Sequence, residues 1–370
     1  MFRIMAVIGT RPEAIKMCPL VRELRTRSSL HTSVLATGQH KEMLKQVLDI
    51  FSIEPDYNLN VMCKHQTLIS LTKLILEQIQ SVLASEAPDI VLVHGDTTTA
   101  FATALACFYM GIPVGHIEAG LRTFDINSPM PEEFNRQAIG LVARYHFAPT
   151  EGARQNLLHE GKSNSSIFVT GNTAIDALKT TVRQDYHDEH LTWASGSRLI
   201  MLTAHRRESL GMPMESMFRA IRRIVEENLD VKVIFPIHMN PLVRESAQKH
   251  FADCDRIRII EPLDVVDFHN LLARCYMVLT DSGGIQEEAP SFGIPILVMR
   301  NTTERLEGIT AGTAILVGTD ETDIYNHFQE LLCNGELYRQ MSQASNPYGD
   351  GDSCIRIADA LETALHWSIA

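Results

Sequence analysis

Asp89-Ile90-Val91-Leu92-Val93-His94-Gly95-Asp96-Thr97-Thr98 is an apolar run that stops on a glycine and a carboxylate. It does not alternate with polar residues, which marks a strand covered on both faces and hence a parallel sheet. Five similar runs lie around it, at residues 3–9, 32–37, 113–119, 145–149 and 167–171. A second set follows at residues 198–204, 231–237, 257–260, 277–280, 294–299 and 314–317. Longer helical patterns separate the runs. Two groups of six strands predict an α/β protein with two doubly wound domains instead of one very wide sheet. The boundary is expected in the polar segment 183–197, giving an N-terminal domain 1–183 and a C-terminal domain 184–352. The amphipathic pattern at 355–367 has no place in the second sheet, so a helix within 353–370 is expected to pack back on the first domain.

With 370 residues and 45% hydrophobic content, the chain can bury two cores. A formal net charge of −12 argues against non-specific nucleic-acid binding. No run of about 18 apolar residues exists, so no membrane span is expected. The N-terminus enters a strand directly, without a signal-peptide pattern. The seven cysteines form no CxxC pair or His/Cys cluster. They suit reduced thiols filling a core, and a cytoplasmic location.

Three carboxylates stand at the ends of strand-like runs or in the loops that follow: Asp96 in His94–Thr98, Glu118 in His116-Ile117-Glu118-Ala119-Gly120, and Glu132 in Pro131-Glu132-Glu133-Phe134-Asn135-Arg136. Strand C-termini line the ligand crevice of such sheets. Several carboxylates there suit proton transfer. Gly9-Thr10-Arg11-Pro12-Glu13-Ala14-Ile15-Lys16 follows the first run, with Pro12 suited to a first helical turn. Arg11, Lys16 and that helix N-terminus fit an anion site, against a plain β–α turn with two solvated cations. Thr280-Asp281-Ser282-Gly283-Gly284 brings backbone N–H groups close to a ligand, with Glu288 placed for ribose hydroxyls. The alternative is a helix merely capped by Ser282. His205 in Thr203-Ala204-His205-Arg206-Arg207 faces an anion in this reading, and Arg305 is either a phosphate partner or a solvated loop charge. Phe268 either stacks on a base or packs in the core. No GxGxxG follows a strand, and no Walker A, HExxH or Cys/His quartet occurs. No cofactor and no metal is therefore expected.

The ordered motifs GTRPEAIKM, HGDTT, HIEAGLRT, PEEFNR, HRRES, TDSGGIQEEAPS and TTERLEGITAGT, running from Gly9 to about Gly318, resemble those of the non-hydrolysing UDP-N-acetylglucosamine 2-epimerases, of the glycosyltransferase-B structural class. The resemblance implies two Rossmann-like domains facing across a cleft, with UDP mainly on the second and the sugar against the first. It implies UDP-sugar binding by Arg11, Lys16, His205, Phe268, Ser282, Gly283, Gly284, Glu288 and Arg305. It makes Asp96, Glu118 and Glu132 the acid/base group, supported by Arg136 and His205, with Asp96 and Glu132 handling the C2 proton. Gln39, His40 and Gln66 resemble contacts of a second, regulatory UDP-sugar, against plain local polar contacts. A homodimer and a role in surface-polysaccharide synthesis are family expectations. Met130, Leu263, Asn301 and Leu306 depart from the usual Trp, Gln, Asp and Pro. The C2 proton is not next to a carbonyl, and the nicotinamide fingerprint is missing. The route left is elimination of UDP to a 2-acetamidoglucal, then re-addition. Alternatives are a 2-epimerase of a modified UDP-sugar such as a 2,3-diacetamido uronic acid, a glycosyltransferase of the same class, a hydrolysing epimerase and a non-catalytic sensor.

Overall fold

Strand Phe2–Ile8 (β1) buries Ile4, Met5, Ala6, Val7 and Ile8 in succession. A strand apolar on both faces needs helices on both faces of its sheet, and that is the architecture. The computed structural model describes residues 1–38, 41–62 and 66–367. They form two units, Met1–Thr180 with Tyr348–Ala370, and Thr181–Pro347.

In the first unit, β1 is followed by Leu30–Ala36 (β2), Tyr57–Asn58 (β3), Ile90–His94 (β4), Val114–Ile117 (β5), Tyr145–Ala148 (β6) and Ile167–Val169 (β7). All pair in parallel, in the order β3-β2-β1-β4-β5-β6-β7. Among the described residues this sheet has seven strands, not the expected six. The extra one, β3, spans two residues and pairs Leu35 with Tyr57. That is too short to leave a periodic signal. The chain winds outward from β1 to β3, then returns to β4 beside β1. The topological switch point therefore lies between β1 and β4, where Ile4 pairs with Ile90.

The second unit contains Arg198–Thr203 (β8), Val231–Pro236 (β9), Ile257–Ile260 (β10), Met277–Thr280 (β11), Ile296–Val298 (β12) and Ala314–Leu316 (β13). Its parallel order is β10-β9-β8-β11-β12-β13, with the switch point between β8 and β11. Phe218, Phe235 and Phe251 fill one side of this sheet, with the Phe218 and Phe251 ring centroids 4.8 Å apart. Each such ring contributes about 2 kcal/mol by leaving water.

The chain from Tyr348 onward belongs to the first unit. Asn172 N–H donates to the Tyr348 carbonyl at 2.7 Å, and Asp176 accepts the backbone N–H groups of Ser353 and Cys354 at 3.2 and 2.8 Å. These two bonds satisfy orphan donors at the start of helix Ser353–Trp367, which packs on helix Arg11–Thr26. Arg27 adds an ion pair with Glu362 at 3.1 Å.

Candidate active site

The first unit gathers its candidate residues on the loops after β1, β4, β5 and β7. Helix Arg11–Thr26 starts in a capping box: Thr10 caps the Glu13 N–H, and Glu13 reaches back to the Thr10 N–H. One turn further in, Lys16 Nζ pairs with Glu118 Oε2. Glu118 directly follows β5 with a left-handed φ of 62°, a conformation costing a non-glycine residue about 1 kcal/mol. The backbone there aims the carboxylate back towards β4. Gly95 lies beside it: a Cβ there would sit in ordinary contact with Glu118 Oε1 at 3.4 Å, and it is the left-handed φ of 62° that favours glycine at this turn. Asn172, after β7, donates to Glu118 Oε2 at 2.8 Å. His94 Nε2 lies 3.9 Å from the same oxygen. Burial pushes the His94 imidazole down to about 4, so it is neutral at neutral pH. His116, on β5, holds the Gly95 carbonyl through Nε2 at 2.7 Å, and burial lowers it to about 3.

Asp96 is anchored separately. Arg136 Nε donates to Asp96 Oδ2 at 2.8 Å, and Asn135 Nδ2 holds the Asp96 carbonyl at 2.8 Å. Both partners come from helix Glu132–Val142. Glu133, fully buried, accepts from Arg136 Nη1 at 3.1 Å, Gln137 Nε2 at 2.9 Å and the backbone N–H groups of Thr123 and Phe124 at 3.1 and 3.2 Å. Four donors make Glu133 a structural anchor. Glu132 is half-buried at the first position of the helix, one turn before Arg136.

In the second unit the switch point is organised by Asp281, which directly follows β11 and is fully buried. Its Oδ2 accepts the backbone N–H groups of His205 and Arg206, each at 2.9 Å. His205 Nδ1 stands 3.0 Å from Oδ1. Burial alone would raise this carboxyl, but the His205 side chain and the two N–H groups outweigh it and hold Asp281 below the usual range. Ser282 precedes helix Gly283–Glu288 without a side-chain cap, so its hydroxyl is not spent on capping. Its N–H donates to Thr280 Oγ1 at 2.9 Å. Arg305 lies flat against this turn: a Cβ on Gly283 would meet its Cζ at 3.1 Å. Arg305 Nε bonds Glu287 at 2.9 Å, and its Nη1 bonds Glu304 at 2.6 Å. Arg300 and Arg206 also converge on Glu304, at 2.9 and 3.4 Å. Burial works against ionisation there, yet Arg305, Arg300 and Arg206 together hold Glu304 down at about 2. Arg305 is thus no solvated loop charge. It belongs to a network in which Arg206, Arg300 and Arg305 pair with Glu208, Glu287 and Glu304 beside the Ser282–Gly284 turn.

A profile for the family described as UDP-N-acetylglucosamine 2-epimerase matches residues 22–362. The chain belongs to this family. It is 57% identical to the UDP-N-acetylglucosamine 2-epimerase of Bacillus subtilis over 359 residues, covering 97% of this chain and 94% of that one. Among solved structures, it superposes on Staphylococcus aureus MnaA in complex with UDP with a TM-score of 0.93 and 50% identity, covering 99% of this chain and 97% of that one. It superposes on the Neisseria meningitidis UDP-GlcNAc 2-epimerase bound to UDP-GlcNAc with a TM-score of 0.91 and 42% identity, covering 98% and 100%. Two parallel α/β sheets of the glycosyltransferase-B class were expected, and both units have them.

Against the family pattern, the first unit brings Lys16 to Glu118 and Arg136 to Asp96. In the second unit His205, Ser282, Gly283 and Arg305 share the end of the β8–β11 crevice. Glu288 Oε2 lies 3.5 Å from His269 Nε2. Phe268 is half-buried on helix Val265–Leu272 and touches the core, as does Leu263. Gln66 donates to the Val61 carbonyl at 2.7 Å, while Gln39 and His40 lie outside the described residues. Four residues that sequence reasoning did not single out complete the picture: Glu13, His94, Asn172 and Asp281. Thr10-x-x-Glu13 is a legible capping box, and Asp281 directly follows an apolar strand. Asn172 carried no signal beyond its place after a strand.

Proposed function

We propose that this chain interconverts UDP-N-acetylglucosamine and UDP-N-acetylmannosamine by reversible, non-hydrolysing epimerisation at C2. Family membership supports the reaction class. The observation that carries the chemistry is a pair of carboxylates at the ends of adjacent strands, each with a cationic partner: Asp96 with Arg136 and Glu118 with Lys16. In this reading the second unit holds UDP through Ser282, Gly283, Gly284, Arg305, His205 and Glu288, and the first unit acts on the sugar.

A carboxylate, Asp96 or Glu132, takes the C2 proton, and the C2–H electrons form a C1=C2 double bond. The C1–O bond breaks, and its electrons leave on UDP. The cations neutralise the charge that develops on the departing diphosphate. UDP then re-adds at C1 of the 2-acetamidoglucal, while C2 takes a proton on its other face. Glu118 places the sugar or supplies that proton. Arg136 and His205 hold the acid/base groups and the phosphate.

The test is proton NMR of the purified protein with UDP-GlcNAc and no added nicotinamide. Formation of UDP-ManNAc supports the reading. A substrate left unchanged, together with turnover of a 2,3-diacetamido uronic acid derivative, would redirect it to the modified sugar.

The same reading places the protein in the cytoplasm, on a route to surface polysaccharide, as a homodimer regulated by a second UDP-sugar. Exposed Phe108, Tyr109 and Leu141, on neighbouring helices of the first unit, support a self-association face. Light scattering of the protein and of Leu141→Glu tests it: a dimer that the substitution converts to monomer supports this face, and a wild-type monomer rejects it.

A further inference from the structure

Glu13 is almost wholly buried, with 2% of its surface exposed. Its Oε2 accepts the backbone N–H groups of Gly9 and Thr10 at 3.0 and 2.6 Å. A capping box accounts for the bond to Thr10. It does not account for the third bond. Thr97 Oγ1 donates to Glu13 Oε1 at 2.7 Å, from a position 84 residues away in sequence. The same hydroxyl accepts the Ala100 N–H at 3.0 Å and so caps helix Thr98–Met110.

Glu13 therefore joins the starts of two helices. One carries Arg11 and Lys16. The other begins two residues after Asp96, behind its cap Thr97. The two turns leave the adjacent strands β1 and β4, so the bond spans the topological switch point. Packing there is close: a Cβ on Gly9 would meet Thr99 Oγ1 at 2.2 Å. Thr99 Oγ1 in turn lies 3.2 Å from Thr37 Oγ1, after β2.

We propose that Glu13 is a positioning residue of the active site, tying the turn that begins the Lys16 helix to the turn that carries Asp96. Catalysis by oriented groups is sensitive to displacements of about 1 Å, which can cost about 100-fold in rate. A cap on one helix would stabilise that helix alone. A tie between both turns sets the separation between the cation that pairs with Glu118 and the Asp96 carboxylate. The proposal rests on the epimerase reading for its catalytic part, and its geometric part stands apart from it.

The experiment compares wild type, Glu13→Ala and Glu13→Gln. Gln preserves the geometry: its carbonyl can accept from Gly9 and Thr10, and its NH2 can donate to Thr97 Oγ1. Two readouts are taken on folded protein, kcat at saturating UDP-GlcNAc and amide hydrogen exchange by mass spectrometry. Glu13→Ala is expected to lower kcat at least about 30-fold. It should also speed exchange both at residues 9–10 and at the separate turn 96–100. Glu13→Gln should restore both to near wild type. Thr97→Val removes the cross-bond together with the Thr97 cap and leaves Glu13 in place; it should lower kcat and speed exchange at residues 9–10, which loss of the cap alone would not reach, and it serves if Glu13→Ala does not fold. Folded Glu13→Ala with unaltered kcat, exchange confined to residues 9–10, or a Gln variant as impaired as the Ala variant would each overturn the proposal. A wild-type protein without turnover would instead count against the epimerase reading, with the exchange pattern still deciding whether Glu13 ties the two turns.

Discussion

The carboxylate of Asp281 receives the backbone N–H of His205 at 2.9 Å and faces the imidazole Nδ1 of the same residue at 3.0 Å. One buried acid thus fixes both the backbone and the ring of His205, one of the residues in the proposed UDP site. Asp281→Asn keeps the shape but presents an NH2 to donors, so it should cost about 2 kcal/mol of stability at pH 7. Because the folded-state value is depressed, the contribution is present above the ordinary value of 3.8 and is lost as pH falls through the folded value. Urea unfolding should show the gap between wild type and variant closing only in acid. A gap independent of pH would contradict the assignment.

Asp96 is held by Arg136 Nε at 2.8 Å, within the first unit and apart from the residues proposed to hold UDP. Asp96→Asn should therefore bind UDP with an unchanged Kd while turnover falls at least about 100-fold. Arg136→Ala is a different case. It strips a cation from Asp96 and from the fully buried Glu133, and should cost about 3 kcal/mol of stability. Calorimetric titration with UDP and thermal unfolding separate the two outcomes. An Asp96→Asn enzyme of near wild-type rate would make Asp96 purely structural.

Burial drives the Glu13 carboxyl up to about 7, against the hydrogen bonds from Thr97, Thr10 and Gly9. Between the ordinary value of 4.5 and about 7 the folded state holds a proton that the unfolded chain has released. Stability must then fall as pH rises through that window, by up to roughly 3 kcal/mol. Glu13→Gln removes the titration. Its stability relative to wild type should rise between pH 4.5 and 7.5, as read from urea midpoints across that range. A constant difference would show that Glu13 does not titrate there.

Arg305 is the cation nearest the Ser282–Gly284 turn, and Glu287 and Glu304 hold its guanidinium from two directions. Arg305→Ala should weaken UDP binding about tenfold or more. It should also destabilise the fold, because Glu287 is 1% exposed and loses a partner. Calorimetry at two salt concentrations reads both the loss and a shallower salt dependence. Unchanged UDP affinity would remove Arg305 from the phosphate site.

The strands were legible because a parallel sheet demands residues apolar on both faces, and β1, β4 and β8 contain little else. β3 was not, since its Tyr57–Asn58 pair has no period. Positions at strand ends, such as Asp96 and Glu118, were readable from the run that precedes each. Their partners were less so: Asn172 reaches Glu118 across 54 residues, a proximity that only the assembled sheet creates. Glu133 shows the same limit. Nothing in its position beside Glu132 at a helix start shows that two loop N–H groups and two side chains consume it. The capping box at Thr10 and Glu13 was visible in sequence, but not the Thr97 bond that gives it a second purpose.

The most direct test of the account is proton NMR of wild-type protein with UDP-GlcNAc in D2O, with no added cofactor. Elimination and re-addition predict UDP-ManNAc carrying deuterium at C2, the same label returning into the UDP-GlcNAc pool, and small amounts of free UDP with 2-acetamidoglucal. UDP-ManNAc formed with its C2 proton retained, or no exchange at C2 in either sugar nucleotide, would contradict it.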